Sequence, residues 1–375
     1  MASEILQSDK KKEIGDWYDY SKIDSYNCQY NMIIGERSNG KTYGALYKII
    51  KNYVDKKEKG AYIRRYKEDY RGKRGDTLFE SIEKDNVVSL LTDGQFDGIK
   101  YQSGRWYFSK YDEKTGKKMA CDDPFCYGFA ISDMEHDKST SYPDVTTIVF
   151  DEFLTRGFYL PNEFVLFMNT LSTIIRHRNN VKIYMLGNTV NKFAPYFIEM
   201  GLKHVSVMEK GQIDVYSYGD SKLKVAVEYC ASPKKEGKKS DIYFAFDNPS
   251  LQLITGGAWE IDLYPHCPID YDRKNIELVF FIKFNESLLQ GEVVIKDNNN
   301  FLFIHRKSTP IKNYDEDLIF SLDYDPRPNF ARGLDKSSLK CVRYIREYFR
   351  NDKVFYQDNE VGEVVRNFLQ ESRRA

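Results

Sequence analysis

The stretch Gly35-Glu36-Arg37-Ser38-Asn39-Gly40-Lys41-Thr42 constrains this chain more than any other. It follows the apolar run Met32-Ile33-Ile34 and precedes a segment in which Leu46, Ile49, Ile50, Tyr53 and Val54 recur at helical spacing. Strand, glycine loop and helix therefore come in the order a phosphate-binding loop requires. Each residue type has a chemical job. Gly35 and Gly40 permit a tight turn whose backbone N–H groups can approach phosphate oxygens, and Lys41 brings a compensating cation. Thr42 supplies the hydroxyl that Mg²⁺ binding asks for, and the helix starting beside it points the positive end of its dipole at the phosphates. The expected ligands are ATP and Mg²⁺.

A second stretch supplies the acids. Thr146-Thr147-Ile148-Val149-Phe150 reads as a buried parallel strand, with Asp151 and Glu152 at the C-terminal end, where ligands gather in an α/β sheet. Asp151 is expected to face Mg²⁺, and Glu152 to orient the water that attacks the γ-phosphate in line. Val181 to Asn188 is another buried strand with a polar end. Asn188 is either a sensor of the γ-phosphate or catalytic water, or a plain turn residue. Pro161 to Arg178 carries an apolar stripe through Phe164, Phe167, Leu171 and Ile174 that predicts a helix. Ahead of the loop stand Trp17, Tyr18, Tyr20, Tyr26 and Tyr30; one of them stacks on the adenine, or they cap the sheet edge.

Charge narrows the options. The chain balances 56 basic against 56 acidic residues, so any grip on nucleic acid must come from local segregation. Residues 51 to 75 hold ten Lys/Arg against four Asp/Glu. Arg64 and Arg65, after the expected strand Ala61-Tyr62-Ile63, are either a solvated face or a contact with nucleic-acid phosphates. The six cysteines show no CxxC spacing and read as reduced thiols. No stretch approaches membrane-spanning length, and the first residues lack the apolar core of a secretory signal, so the interior of a cell is the expected setting.

A length of 375 residues favours two domains. The first is expected over 1–200 as an α/β P-loop NTPase (ASCE/RecA-like) with a mostly parallel sheet, short strands within 76–140 forming an insertion hairpin. Short alternating strands over 203–227 and the charged segment 232–240 place a linker region at 201–240. A smaller α+β domain follows over 241–375, with strands at Leu278–Phe284, Gly291–Ile295 and Phe301–Ile304 and two closing amphipathic helices.

The string Lys138-Ser139-Thr140-Ser141-Tyr142-Pro143-Asp144-Val145-Thr146-Thr147-Ile148-Val149-Phe150-Asp151-Glu152-Phe153 adds a family resemblance. Together with Tyr62-Ile63-Arg64-Arg65-Tyr66-Lys67 and Leu160-Pro161-Asn162-Glu163, it resembles the DNA-packaging (encapsidation) ATPases of small phi-29-like tailed phages, over roughly residues 30 to 200. The resemblance implies a ring motor of five subunits, acting in the host cell cytoplasm on the portal vertex of an empty capsid. It would drive double-stranded DNA inward by hydrolysing ATP between neighbouring subunits. The implied partners are double-stranded DNA, the portal (connector) protein and further copies of the chain, anchored through a structural RNA or the portal protein alone, with no membrane.

By the same resemblance Arg176 matches an arginine finger, with Arg178 as the fallback; a cation on its helix's C-terminal dipole is the physical alternative for Arg176. Lys138 matches a second basic residue acting across the interface, and Lys67 a pore-facing DNA contact. Beyond residue 230 the family carries a domain resembling an RNase H-type nuclease without its chemistry. Here Asn285 and Glu286 follow the first expected strand, but no set of aspartates converges as two-metal cleavage needs. The competing readings are a large terminase with an active nuclease half and a nucleotide-switched DNA-binding protein.

Overall fold

The computed structural model describes residues 17–37, 39–136, 141–189, 191–230, 263–335, 337 and 339–373. They fall into two units, one on each side of a division between residues 259 and 260. Among the described residues no helix is long and apolar enough to cross a membrane.

The first unit is built on strands β1 (Tyr30–Gly35), β2 (Lys59–Arg64), β3 (Gly98–Gln102), β4 (Arg105–Asp112), β5 (Lys117–Ala120), β6 (Cys126–Ala130), β7 (Val145–Asp151), β8 (Lys182–Asn188), β9 (Ile213–Tyr218) and β10 (Leu223–Tyr229). They run in the order β3-β4-β6-β2-β7-β8-β1-β10-β9, with β5 paired to β4. From β6 through β10 every pairing is parallel. All seven residues of β7 are buried, as expected of a strand covered on both faces. Alternation along β1 explains the covering. Ile33 joins a core with Leu46, Ile49 and Ile50 of helix α1 (Lys41–Lys56). Met32 and Ile34 join another with Phe167, Leu171 and Ile174 of helix α2 (Glu163–Ile175).

Several expected boundaries move. The first unit does not stop at 200, and 201–229 is not a linker: β10 pairs with β1 from Tyr30↔Val225 to Ile34↔Tyr229, so these residues complete the nucleotide-loop sheet. Residues 231–240 of the expected linker lie outside the described residues. Helix α2 is shorter than 161–178, because Asn162 and Arg176 take left-handed φ values of 54° and 56° at its two ends. The insertion is more than a hairpin, since short helices at Lys73–Thr77, Glu80–Lys84 and Val87–Leu91 precede the antiparallel strands β3, β4 and β5.

The second unit contains β11 (Ile276–Phe284), β12 (Ser287–Lys296), β13 (Asn299–Arg306), β14 (Leu318–Ser321), β15 (Phe330–Ala331) and β16 (Val354–Tyr356), ordered β15-β14-β11-β12-β13-β16. Its first three strands form an antiparallel meander, and β14 lies parallel to β11. Two-residue turns connect the meander, with Asn285 and Asp297 at positive φ, the conformation tight hairpins favour. Helices α3 (Lys340–Arg350) and α4 (Asn359–Ser372) complete the unit, burying Val342 and Ile345, and Val361, Val365 and Phe368.

Candidate nucleotide site

The loop after β1 closes on Gly40, whose φ of 81° suits glycine; a Cβ there would come within 2.7 Å of the Trp17 ring. Lys41 follows as the first residue of α1 and is buried. Its Nζ donates to the Glu36 carbonyl at 2.7 Å, to Asn39 Oδ1 at 3.0 Å, and at 3.4 Å to both the Gly35 carbonyl and Asn188 Oδ1. Burial pulls the Lys41 ammonium below its ordinary range, against the pull of Cys230, Asp151 and Glu36. Ser38 lies outside the described residues.

The acids arrive from β7, two strands away from β1 across β8. Thr42 Oγ1 donates to the Asp151 carboxylate, 3.2 Å from Oδ1 and 3.1 Å from Oδ2. The Tyr62 hydroxyl donates to Asp151 Oδ2 at 2.8 Å, and the Glu152 backbone N–H to Oδ1 at 3.0 Å. Burial raises the Asp151 pKa, while Arg64, Tyr62 and Thr42 work to lower it and Glu152 adds to the rise. Glu152 has φ 57°, a left-handed turn at the strand end, and its side chain is 56 % exposed. Lys41, Thr42, Asp151 and Glu152 border one cavity of about 710 Å³, which Arg37, Asn39, Asn188, Trp17 and Arg156 also line.

Side chains alternate along a strand, so Arg64 and Arg65 face opposite sides, and both guanidiniums are engaged by carboxylates. Arg64 turns to the cavity side: its Nη2 pairs with Glu152 at 2.5 Å, and its Nη1 lies 3.8 Å from Asp151. Arg65 turns to the opposite face and is 7 % exposed. There it binds Glu163 through Nε and Nη2, donates to the Phe153 and Glu152 carbonyls, and lies over the Tyr159 ring. Glu163 in turn accepts from the Tyr196 hydroxyl and the Leu160 N–H, so this buried pair braces the segment that carries Glu152.

Arg176 is exposed just past α2. Arg178 is held within its own chain. Its guanidinium donates to five backbone carbonyls, those of Tyr142, Pro143, Val145, Ile174 and Ile175, at 2.5–3.2 Å. Lys67 is half-exposed and forms an ion pair with Asp133. Lys138 lies outside the described residues. Of the aromatic cluster, Trp17 reaches the cavity, stacked on Tyr43 with centroids 4.0 Å apart. Tyr18 and Tyr20 are buried, with their hydroxyls on Glu228 and the Lys41 carbonyl. The role of Tyr62 was missed from sequence, although its place two residues before Arg64 on a strand puts both on one face.

A glycine loop between strand and helix, a buried lysine and a distant carboxylate meeting the loop's threonine define a P-loop NTPase. The chain belongs to the podovirus DNA encapsidation protein (Gp16) family, whose model matches residues 12–314. It is 31 % identical over 183 residues to the DNA packaging protein of Bacillus phage B103, covering 48 % of this chain and 50 % of that one. Identity to the DNA packaging protein of Bacillus phage phi29 is 29 % over 189 residues, 50 % of each chain. The matches thus span about half the length of these curated relatives. In fold the chain is similar to a protein of the bacteriophage phi-29 viral genome packaging motor assembly, with TM-score 0.55, 22 % identity, and coverage of 96 % of this chain and 99 % of that one. It is also similar to the Phi-28 gp11 DNA packaging motor, with TM-score 0.51, 17 % identity, and coverage of 95 % and 96 %.

Proposed function

We propose that this protein is an ATPase that drives double-stranded DNA into a phage procapsid. The observation that carries the reading is the contact between Thr42 and Asp151, 109 residues apart, in the cavity that also holds Lys41. ATP is the substrate in that cavity. Its phosphates meet the backbone N–H groups of the loop, and Lys41 exchanges the Gly35 and Glu36 carbonyls for phosphate oxygens.

The Thr42 hydroxyl and Asp151 carboxylate fit Mg²⁺, being hard oxygen donors already within 3.2 Å of each other on the cavity wall. When bound, Mg²⁺ neutralises charge on the phosphate oxygens. Glu152 accepts a hydrogen bond from water and aims it at the γ-phosphate, and Asn188, already in reach of Lys41 Nζ, reads the same phosphate end. Arg176 serves a neighbouring copy's γ-phosphate in a ring of five subunits, with Lys138 as a second cation across that interface. Lys67 remains the pore-facing DNA contact.

Family membership supports packaging as the use of this chemistry, with the portal protein as the docking partner, with or without a structural RNA, in the host cytoplasm. The second unit is read as a vestigial nuclease. Among its described residues no group of three or more His, Cys, Asp or Glu side chains could hold a metal. A nucleotide-switched binding protein is the second reading, and the acid placed beside Asp151 favours hydrolysis over it.

The test is DNA-stimulated turnover with purified protein, followed by packaging of DNA into empty capsids. Glu152→Gln should lower turnover by about 100-fold or more while ATP binding persists. Equal rates would remove Glu152 from the mechanism. Supercoiled plasmid incubated with Mn²⁺ should stay intact; nicking would favour an active nuclease half.

A further inference from the structure

A second cavity, of about 340 Å³, shares no lining residue with the nucleotide site. Segments distant in sequence build it: the stretch after β2 brings Lys67 and Arg71, the start of β4 brings Arg105, and β6 brings Tyr127 to Ala130. We propose that this cavity is a seat for the phosphodiester backbone of DNA, with Arg71 and Arg105 as its principal cations. The proposal rests on the packaging reading above.

The charge accounting points there. With no net charge, the chain has no long-range attraction for a polyanion, so a grip on DNA must be local. Of the basic run from 64 to 74, Arg64 and Arg65 are held by the carboxylates of the nucleotide site and α2. Arg74 lies 3.6 Å from Asp69, Lys67 pairs with Asp133, and Lys73 does not line the cavity. Arg71 and Arg105 are exposed, and among the described residues neither has a carboxylate partner. Both border the same cavity.

Asp133 also lines the cavity, its charge met by Lys67, and the remaining wall suits phosphate. Tyr101, Tyr127 and Tyr142 line the cavity, and a tyrosine hydroxyl can donate a hydrogen bond to a phosphate oxygen. The Arg105 guanidinium lies 5.8 Å from the centroid of the Tyr127 ring, which itself packs edge-on against Tyr142 at 5.1 Å. This packing gives the arginine a preferred direction. No long aliphatic side chain lines the space, so it offers little to the apolar anchors of a protein partner.

The experiment measures binding of the full chain to a labelled DNA duplex across a salt series. Replacing both arginines, R71A with R105A, should lower the slope of log K against log salt by about 1.8, two contacts at 0.9 each, and weaken binding roughly 60-fold at 0.1 M salt. R71K with R105K should restore most of the slope, because the counterion term follows charge. Lys114→Ala, in the exposed β4–β5 turn, should change neither quantity. An unchanged slope in the double alanine variant, or an equal loss in Lys114→Ala, overturns the proposal. So does weakened self-association, measured by sedimentation, with DNA affinity intact, since the cavity would then receive an acidic surface of another copy. ATP turnover without DNA should match wild type in every variant. Wild type that neither binds DNA nor shows DNA-stimulated turnover would sink the packaging reading itself.

Discussion

Arg64 stands between the two acids of the nucleotide site, paired with Glu152 at 2.5 Å and 3.8 Å from Asp151. A carboxylate committed to a guanidinium is a poorer acceptor for water, so Arg64 holds Glu152 in restraint. Because Glu152 is more than half exposed, the pair is worth about 1 kcal/mol at most. Arg64→Ala should therefore raise turnover in the absence of DNA by up to about 5-fold and shrink the stimulation by DNA. Steady-state phosphate release checks this; a tenfold fall would put Arg64 in the chemistry itself.

Arg176 and Arg178 should separate cleanly. Arg178→Ala strips donors from five carbonyls and should cost about 2–4 kcal/mol of stability, read as a lower denaturation midpoint. Arg176→Ala should leave stability within about 0.5 kcal/mol and abolish most turnover. Mixed with wild-type subunits it should poison activity more steeply than its dose, whereas a linear loss would argue against action between neighbours.

Glu163→Gln leaves the Arg65 guanidinium buried without its counter-charge, and breaking such a pair costs about 3–5 kcal/mol. Calorimetry should show the loss in the first unit. Affinity for DNA, measured where the variant remains folded, should stay at the wild-type value.

The second unit carries its own pH response. The hydrogen bond to Glu292 holds the His305 imidazole above its ordinary 6.5, against burial. Burial raises the Glu292 carboxyl, but hydrogen bonds from His305, Tyr271 and Gln290 outweigh it and leave the pKa below the ordinary 4.5. The carboxylate's contribution to stability is present above 4.5 and fades as pH falls through its lowered value; the imidazole's is complete below 6.5 and fades as pH rises through its raised value. Stability from the pair is therefore greatest between these limits. The melting transition of this unit should drop by about 2–4 °C from pH 6 to pH 8. His305→Gln should flatten that dependence, and an undiminished slope would assign it elsewhere.

Much of the nucleotide site could be read without coordinates, because its parts are local. A glycine loop between strand and helix announces itself within about a dozen residues, and an apolar run ending in two acids needs no partner to be recognised. The domain boundary was not legible in this way. The residues after 200 look like a change of pattern, yet β10 lies beside β1, a pairing between positions almost two hundred apart that no local spacing encodes.

What the sequence alone determined is therefore the chemistry on offer: a glycine loop at Gly35–Thr42 and a carboxylate pair at Asp151 and Glu152, with a family resemblance carried by the stretch around them. Tertiary structure decided which charges remain available to act. Arg64 and Arg65 are adjacent in the chain, but strand alternation sends one to Asp151 and Glu152 and the other to Glu163. Likewise Arg178 is locked by carbonyls while Arg176, two residues away, stays at the surface. The free energy of a charged side chain depends on what faces it in space, and that partner comes from another strand or loop.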